Sequence, residues 1–267
     1  MYYEMIGFAP ETAGPVLHDV PAFHPAEAAV FLDFDGVLVE LAETPDAIQV
    51  PGKLGQLLNA LVQATDGATA VVSGRAVADL RKYLPDFSGT LIGCHGAEID
   101  QGAGVEQTVS VDAQAVEHLV ALVEAFANCD AAYLAERKPS GAVLHFRRNP
   151  DLRGNAYHFL ETILHDIPGF HIHHSKMAFE IRPDGVSKDA AVEQVLSQEP
   201  FANRRPVYIG DDVTDEPALL HCKGLDGISI KVGEGPTEAA YRLDETRDVL
   251  AYLAWSLTET ETGSDTS

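Results

Sequence analysis

The chain has 267 residues, 46% of them hydrophobic, and sets 41 Asp and Glu against 18 Lys and Arg, for a formal charge of −23 at pH 7. That length allows one large domain or two modest ones, and the apolar content is that of a globular protein. So negative a chain should repel nucleic acid and anionic membrane, and no apolar run approaches the roughly 20 residues of a membrane span.

The start, "MYYEMIGFAPETAG", lacks the charged opening and apolar block of a secretory signal. Cys94, Cys129 and Cys222 are scattered and form no CxxC pair. Both features suit reduced thiols in a cytoplasm.

In chain order, residues 1–26 carry Pro, His and small residues without period and read as an irregular lead-in. "VFLD" is a strand, and "KLGQLLNALVQA" sets Leu54, Leu57, Leu58 and Leu61 on one helical face. "ATAVVSGR" is a strand ending in Ser-Gly, "AVADLRKYL" a helix, and "GTLIGCHGAEI" one or two strands. The pattern then changes. From 101 to 175 it reads turn "QGAG", strand "QTVSV", helix "AQAVEHLVALVEAFA", strand "GAVLHFRR", helix "NAYHFLETILHDI" and strand "FHIHH". The stripe Val116, Leu119, Val120, Val123 and Phe126 is the core of this insert. Afterwards come strand "MAFEIRP", helix "SKDAAVEQVL", strand "PVYIGDD", a short helix at "EPALL", strand "GISIKVG" and helix "RDVLAYLAWSL". Trp255 in that last helix packs internally or forms a dimer contact. The tail 258–267 is polar and acidic and reads as disordered.

Near-continuous apolar strands between helices predict an α/β fold, a parallel sheet covered on both faces. The core is expected over 27–100 and 176–257, interrupted at 101–175 by a small α+β module.

"AVFLDFDGVLVE" ends its strand in two carboxylates, Asp33 and Asp35, beside Gly36. In open parallel sheets ligands bind beyond the carboxyl ends of the strands. Two more strand-like runs end in chemistry: "VVSGR" in Ser73, and "VYIGDDVTDE" in Asp211, Asp212 and Asp215. Converging carboxylates repel one another and are costly to desolvate, and a hard cation resolves both problems. Mg²⁺ prefers oxygen ligands and often partners substrate phosphates. Lys188 opens a helix and adds a positive charge, which makes this a phosphoryl-transfer constellation. One carboxylate can attack phosphorus, and the other can protonate the leaving alcohol and then activate water.

Taken singly, each piece has a plain structural reading. DxD is often a turn or cap, "SGR" a loop, "GDDVTDE" an acidic helix cap and Lys188 a surface lysine. Their order, each after an apolar run, favours the site. "HIHH" puts His171 and His173 on one strand face, but with no acid or Cys near in sequence they and His174 read as structural or solvated.

"DFDGVL", "SGR", "GVSK" and "GDDVTDE" resemble the four motifs of the haloacid dehalogenase (HAD) superfamily over about residues 25–235. "GCHGAEI", "ERKPSGAVLHFRR" and "FEIRPDGVSK" are similar to segments of its trehalose-6-phosphate phosphatase family. The resemblance implies a HAD-like Rossmannoid core with an inserted cap, and an Mg²⁺-dependent phosphatase acting on a small sugar phosphate. It implies Asp33 as nucleophile and metal ligand, and Asp35 as acid/base with its carbonyl on the metal. Asp211 would complete the ligands, with Asp212 and Asp215 at or beside the metal. Ser73 and Lys188 would hold phosphate oxygens, Gly36 would let the backbone turn beside the phosphate, and Arg75 would contact substrate. Glu136 and Lys138 in the cap, with Glu180 at the core edge, would grip sugar hydroxyls as the cap closes and excludes water. His145 and Arg147 are further substrate candidates, although alternation could equally send them to solvent or to structural pairs.

Two positions depart from the family pattern: Val37 stands where many relatives have Thr, and Asp189 where many have Gly after the lysine. Sucrose phosphate, a mannosyl phosphoglycerate or a sugar-alcohol phosphate remain alternative substrates. A non-catalytic sugar-phosphate-binding domain is the alternative of another class, and a phosphomutase is disfavoured by the cap segment "ERKPSG". A monomer is expected, with no nucleic-acid or membrane partner.

Overall fold

The computed structural model describes residues 20–42, 47–175 and 177–262. Its first strands and helices are β1 (Ala28–Asp33), α1 (Leu54–Ala64), β2 (Thr69–Val72), α2 (Val77–Tyr83), β3 (Thr90–Gly93), β4 (Glu98–Asp100) and β5 (Val105–Gln107). Then come α3 (Ala113–Ala127), β6 (Leu134–Lys138), β7 (Gly141–His145), α4 (Arg153–Asp166), β8 (Phe170–Ser175) and β9 (Ala178–Pro183). The chain finishes with α5 (Lys188–Leu196), β10 (Arg205–Gly210), α6 (Glu216–Gly224), β11 (Ile228–Val232), β12 (Tyr241–Leu243) and α7 (Thr246–Thr262). Two compact units result: Met1–Glu106 with Ser187–Ser267, and Gln107–Val186.

The larger unit holds an eight-stranded sheet in the order β12-β11-β10-β1-β2-β3-β4-β5. The strands from β12 to β3 run parallel, and β4 is antiparallel to β3. β1 shows why the apolar run is unbroken. Val30 and Leu32 enter one buried cluster with Leu54, Leu57, Leu58 and Leu61 of α1 and Val249 and Leu253 of α7. Ala29 and Phe31 enter another, with Ala191, Val192 and Val195 of α5 and Ala218 and Leu219 of α6. Successive strand residues face opposite ways, so a strand covered on both sides needs apolar residues throughout. The α1 leucines follow the i, i+3, i+4 and i+7 spacing of one helical stripe. Truncating any of these fully buried leucines to Ala costs about 2–5 kcal/mol.

Strand order reverses beside β1. From β1 the chain builds outward through β2 and β3, and from β10 it builds the other way through β11 and β12. Open parallel sheets leave a crevice at the strand carboxyl ends at such a reversal.

The smaller unit is a four-stranded antiparallel sheet, β6-β7-β9-β8. Val116, Leu119, Val120 and Val123 of α3 and Leu160 of α4 pack on one face against Leu144, Phe179 and Ile181. The register Glu136↔Val143, Val143↔Glu180 and His173↔Glu180 puts Glu136, Glu180 and His173 in one row with Val143 on the other face.

Several boundaries differ from the sequence reading. The insert runs to residue 186 instead of 175, because β9 pairs with β7 and β8 and not with the large sheet. β9 is buried along its whole length, as a core strand would be, so its composition does not announce its partners. β6 was not anticipated, since "LAERK" is polar and half-exposed. The strand expected at "QTVSV" lies earlier, at Val105–Gln107. At the end of the chain, α7 continues through Thr262 instead of stopping before 258. Most of the lead-in, 1–19, lies outside the described residues, but Val20 and Phe23 are buried in the core. Trp255 packs against that same core. Among the described residues no helix is long and apolar enough to cross a membrane.

Candidate active site

Asp33 is the last residue of β1, Ser73 follows β2, and Asp211 follows β10. β1 lies between those two strands and parallel to both, so all three residues emerge at one edge of the sheet. Lys188 is the first residue of α5, whose N-cap Ser187 accepts a hydrogen bond from the Ala190 N–H. Its ammonium is 3.0 Å from Asp33 Oδ1 and 2.7 Å from Asp215 Oδ1, and all three side chains are buried. The Tyr208 hydroxyl donates to the same Asp215 oxygen at 2.7 Å, and the Asp212 N–H donates to Asp215 Oδ2 at 3.1 Å.

Asp33, Asp211 and Asp215 each offer an oxygen within 4.8 Å of the others. Among the described residues, Lys188 is the ammonium in direct contact with two of these carboxylates. When all three ionise, Lys188 alone does not balance their charge, an excess that suits a hard cation. Burial first, then the Asp215 charge, pushes Asp33 well above the ordinary carboxylate range despite Lys188. Burial and Asp215 likewise push Asp211 up to about 6. Asp215 is the counterpart: burial opposes its charge, but Lys188 and Tyr208 hold it low. Both its oxygens are already engaged, so it acts as the anchor of Lys188, leaving Asp33 and Asp211 the freer to ligate.

The turn after β1 is tight: the Gly36 N–H donates to the Val39 carbonyl at 2.8 Å, and the Leu38 and Val39 N–H groups donate to Phe34. Gly36 has φ +79°, and a side chain there would begin 2.2 Å from Asp211 Oδ2. Glycine thus serves both the left-handed backbone and the close approach of Asp211. Val37 is fully buried in the core cluster, which accounts for an apolar residue at that position.

Ser73 is buried, and its hydroxyl accepts the Arg75 N–H at 3.1 Å, leaving its own proton to donate. Arg75 itself is forked onto Asp35, Nε to Oδ2 and Nη2 to Oδ1, each at 2.7 Å. The turn after β3 braces this loop: the Cys94 N–H donates to the Arg75 carbonyl at 2.8 Å, and the His95 N–H to the Ser73 carbonyl at 2.9 Å. Cys94 and His95 both adopt positive φ. Gly96, at φ +107°, lies where a side chain would begin 2.4 Å from the Ser187 carbonyl oxygen. One turn therefore touches both the Ser73 loop and the residue before Lys188. Sequence reasoning noted "GCHG" but did not assign it this place. It also missed Lys231, whose buried ammonium donates to the Asp211 main-chain carbonyl.

Among the expected metal ligands, Asp212 does not join the carboxylate group. It is exposed at the start of a short helical turn, and Asp215 takes the buried place, because that turn directs residue 215 inward. The Asp35 carboxylate lies on Arg75. The expected sugar-reading residues are all in the smaller unit. Glu136 accepts from Lys138 at 2.6 Å and contacts His145 Nε2 at 3.0 Å, and it is pushed down to about 2, chiefly by that His145 hydrogen bond. Glu180 belongs to this sheet and not to the core edge, and it pairs with Arg182 at 2.5 Å in a buried setting. Arg147 is exposed in the turn after β7, outside this group. His171 contacts Asp184, and His174 lies against Arg153, Tyr157 and Phe179, so the "HIHH" strand forms structural pairs.

A family model described as trehalose-phosphatase matches residues 31–247. The chain is 35% identical over 229 residues to a trehalose-6-phosphate phosphatase of Escherichia coli (strain K12), covering 85% of this chain and 86% of that one. The chain belongs to the trehalose-phosphatase family. A probable trehalose-phosphate phosphatase of Sinorhizobium fredii is 36% identical over 233 residues, covering 85% of this chain and 87% of its own. The crystal structure of a trehalose-6-phosphate phosphatase related protein shares the fold, with TM-score 0.71 at 24% identity, covering 88% of this chain and 99% of that one. A haloacid dehalogenase-like hydrolase from Bacteroides thetaiotaomicron also shares it, with TM-score 0.63 at 13% identity, covering 87% and 98%. For a trehalose-phosphatase family member, the HAD-like fold expected from the motifs is the fold found.

Proposed function

We propose that the protein is an Mg²⁺-dependent phosphatase that hydrolyses trehalose 6-phosphate to trehalose and phosphate through an aspartyl-phosphate on Asp33, in the cytoplasm. The observation that carries this reading is the gathering of Asp33, Asp211 and Asp215 around Lys188 at the reversal of the sheet. The names borne by its relatives supply the substrate class.

Asp33 and Asp211, beside Asp215, fit Mg²⁺ by donor chemistry, since all are hard oxygen ligands whose mutual repulsion calls for a cation. Bound there, the ion neutralises phosphoryl oxygens and lets the carboxylates ionise together. Lys188 keeps Asp33 turned toward the crevice, and the Ser73 hydroxyl donates to a phosphoryl oxygen. An Asp33 oxygen bonds to phosphorus as the ester P–O bond breaks. The leaving sugar oxygen takes that electron pair and a proton from the Asp35 carboxyl. Water then attacks phosphorus and gives its proton to Asp35. The P–O bond to Asp33 breaks, its electrons return to the carboxylate, and phosphate is freed. Glu136, Lys138 and Glu180 are the proposed readers of the sugar hydroxyls.

The test is phosphate release over a panel of trehalose 6-phosphate, sucrose phosphate, mannosyl phosphoglycerate and a sugar-alcohol phosphate, with and without Mg²⁺. The expected result is preference for trehalose 6-phosphate, dependence on Mg²⁺ and loss in Asp33→Asn. Preference for another ester replaces the substrate. Turnover that survives Asp33→Asn removes the nucleophile assignment.

A further inference from the structure

We propose that Arg75 is a positioning residue for Asp35 and not a ligand of the substrate's phosphate. The inference rests on the phosphatase reading above and refines the place of one of its residues. A guanidinium in a loop beside Ser73 invites assignment to phosphate, because its planar fork matches a phosphate edge. Here that fork is already committed. Arg75 Nε and Nη2 each reach a different Asp35 oxygen at 2.7 Å, the bidentate geometry of a strong carboxylate pair.

The arginine is also fixed from its other sides. Its guanidinium carbon lies 5.8 Å from the Phe34 ring centroid and 5.3 Å from that of Tyr83, and the two rings are 6.0 Å apart. The cation thus lies beside both rings at cation–π distance, a contact that adds to its hold. Its main chain is tied at both ends, N–H to Ser73 Oγ and carbonyl to the Cys94 N–H. The pair is shielded, with 13% of the arginine side chain and 29% of the aspartate exposed. The cation that touches the nucleophile is a different one, Lys188.

The geometry has a chemical consequence. To carry a proton to the leaving alcohol, one Asp35 oxygen lets go of the guanidinium while the other stays hinged on it. Arg75 thus selects which oxygen faces the leaving group, and a small misplacement of an acid is costly. A residue that acts only through the general acid is felt most when the leaving group needs a proton. A sugar alkoxide needs one, and p-nitrophenolate hardly does.

The experiment measures kcat/KM, which reports the steps up to leaving-group departure. It uses the wild type, Arg75→Gln, Arg75→Lys, Asp35→Asn and the double variant Asp35→Asn/Arg75→Gln, all with saturating Mg²⁺. Substrates are trehalose 6-phosphate and p-nitrophenyl phosphate, and vanadate inhibition reports affinity for the phosphoryl group. Arg75→Gln is expected to lose about 100-fold on the sugar ester and at least about tenfold less on the aryl ester. The vanadate inhibition constant should stay within about threefold, and Arg75→Gln should cost at most about threefold more once Asp35 is Asn.

Equal losses on both esters, with vanadate binding weakened in step, overturn the proposal and make Arg75 a phosphate ligand. Arg75→Lys keeps the charge without the fork and should fall between. It carries the same ratio test if Arg75→Gln does not fold. If the wild type hydrolyses some other alkyl phosphate in place of trehalose 6-phosphate, the substrate reading fails and that ester takes its place in the ratio. If it hydrolyses no ester at all with Mg²⁺, the phosphatase reading fails and this inference fails with it.

Discussion

Replacing Gly36 by Ala perturbs the site at one defined contact. The new methyl would begin 2.2 Å from Asp211 Oδ2. Carbon and oxygen sit no closer than about 3.3 Å in ordinary contacts, so one partner retreats by about 1 Å. The Asp211 carboxylate is the softer partner, because the Gly36 backbone is pinned: its N–H donates to Val39 and its carbonyl accepts from Thr246 Oγ1 at 3.3 Å. The backbone strain of a left-handed Ala adds about 1–2 kcal/mol. The protein should therefore fold, with Tm lowered by about 2–8 °C. Activity should suffer far more, since a misplacement of about 1 Å in a reacting constellation costs about 100-fold. The assay is kcat/KM for trehalose 6-phosphate across an Mg²⁺ titration, with Tm measured alongside. A Gly36→Ala protein within about threefold of wild type at an unchanged Mg²⁺ half-saturation would refute the claim that Asp211 lies against this turn and serves the metal.

Three further outcomes are expected. Lys188→Met strands the buried Asp215 beside Asp33. Breaking a buried pair costs about 3–5 kcal/mol, so calorimetry in EDTA should show Tm lower by about 6–20 °C, and a shift under about 2 °C would mean the pair does not hold the core together. Gly96→Ala pushes on the Ser187 carbonyl, which is main chain and cannot swing aside, so α5 should shift and vanadate inhibition should weaken by about tenfold. Glu136 is held near 2 against an unfolded value near 4.5, so its pairing contributes above pH 4.5 and fades as pH falls toward 2. Its carboxylate is 42% exposed, so the stability deficit of Glu136→Gln should stay under about 1 kcal/mol at pH 6 and shrink below pH 4 in denaturant titrations.

The core was legible because its strands are buried on both faces and write themselves as apolar runs, while the α1 leucines mark their helix at 3.6-residue spacing. The gathering of Asp33, Ser73 and Asp211 followed from one rule about strand ends. Pairings across long stretches of chain were not legible. β9 has the composition of a core strand, and only its register with β7 and β8 assigns it to the insert. β6 has too little apolar surface to announce itself. "SGR" offers a basic residue beside a hydroxyl, and nothing local says that its fork turns to a carboxylate 40 residues earlier. In "GDDVTDE", likewise, the inward acid is chosen by a short helical turn, not by adjacency.

The central place of β1 has a consequence for how the protein is made. Its neighbour on one side, β2, follows within some forty residues, but its neighbour on the other, β10, begins only at Arg205. Throughout most of translation the emerging polypeptide therefore carries an apolar strand with one flank bare, the condition that invites edge-to-edge association. Late arrival of β10 closes that flank and delivers Asp211 in the same event, so the appearance of catalytic competence would mark the moment β1 gains its second neighbour.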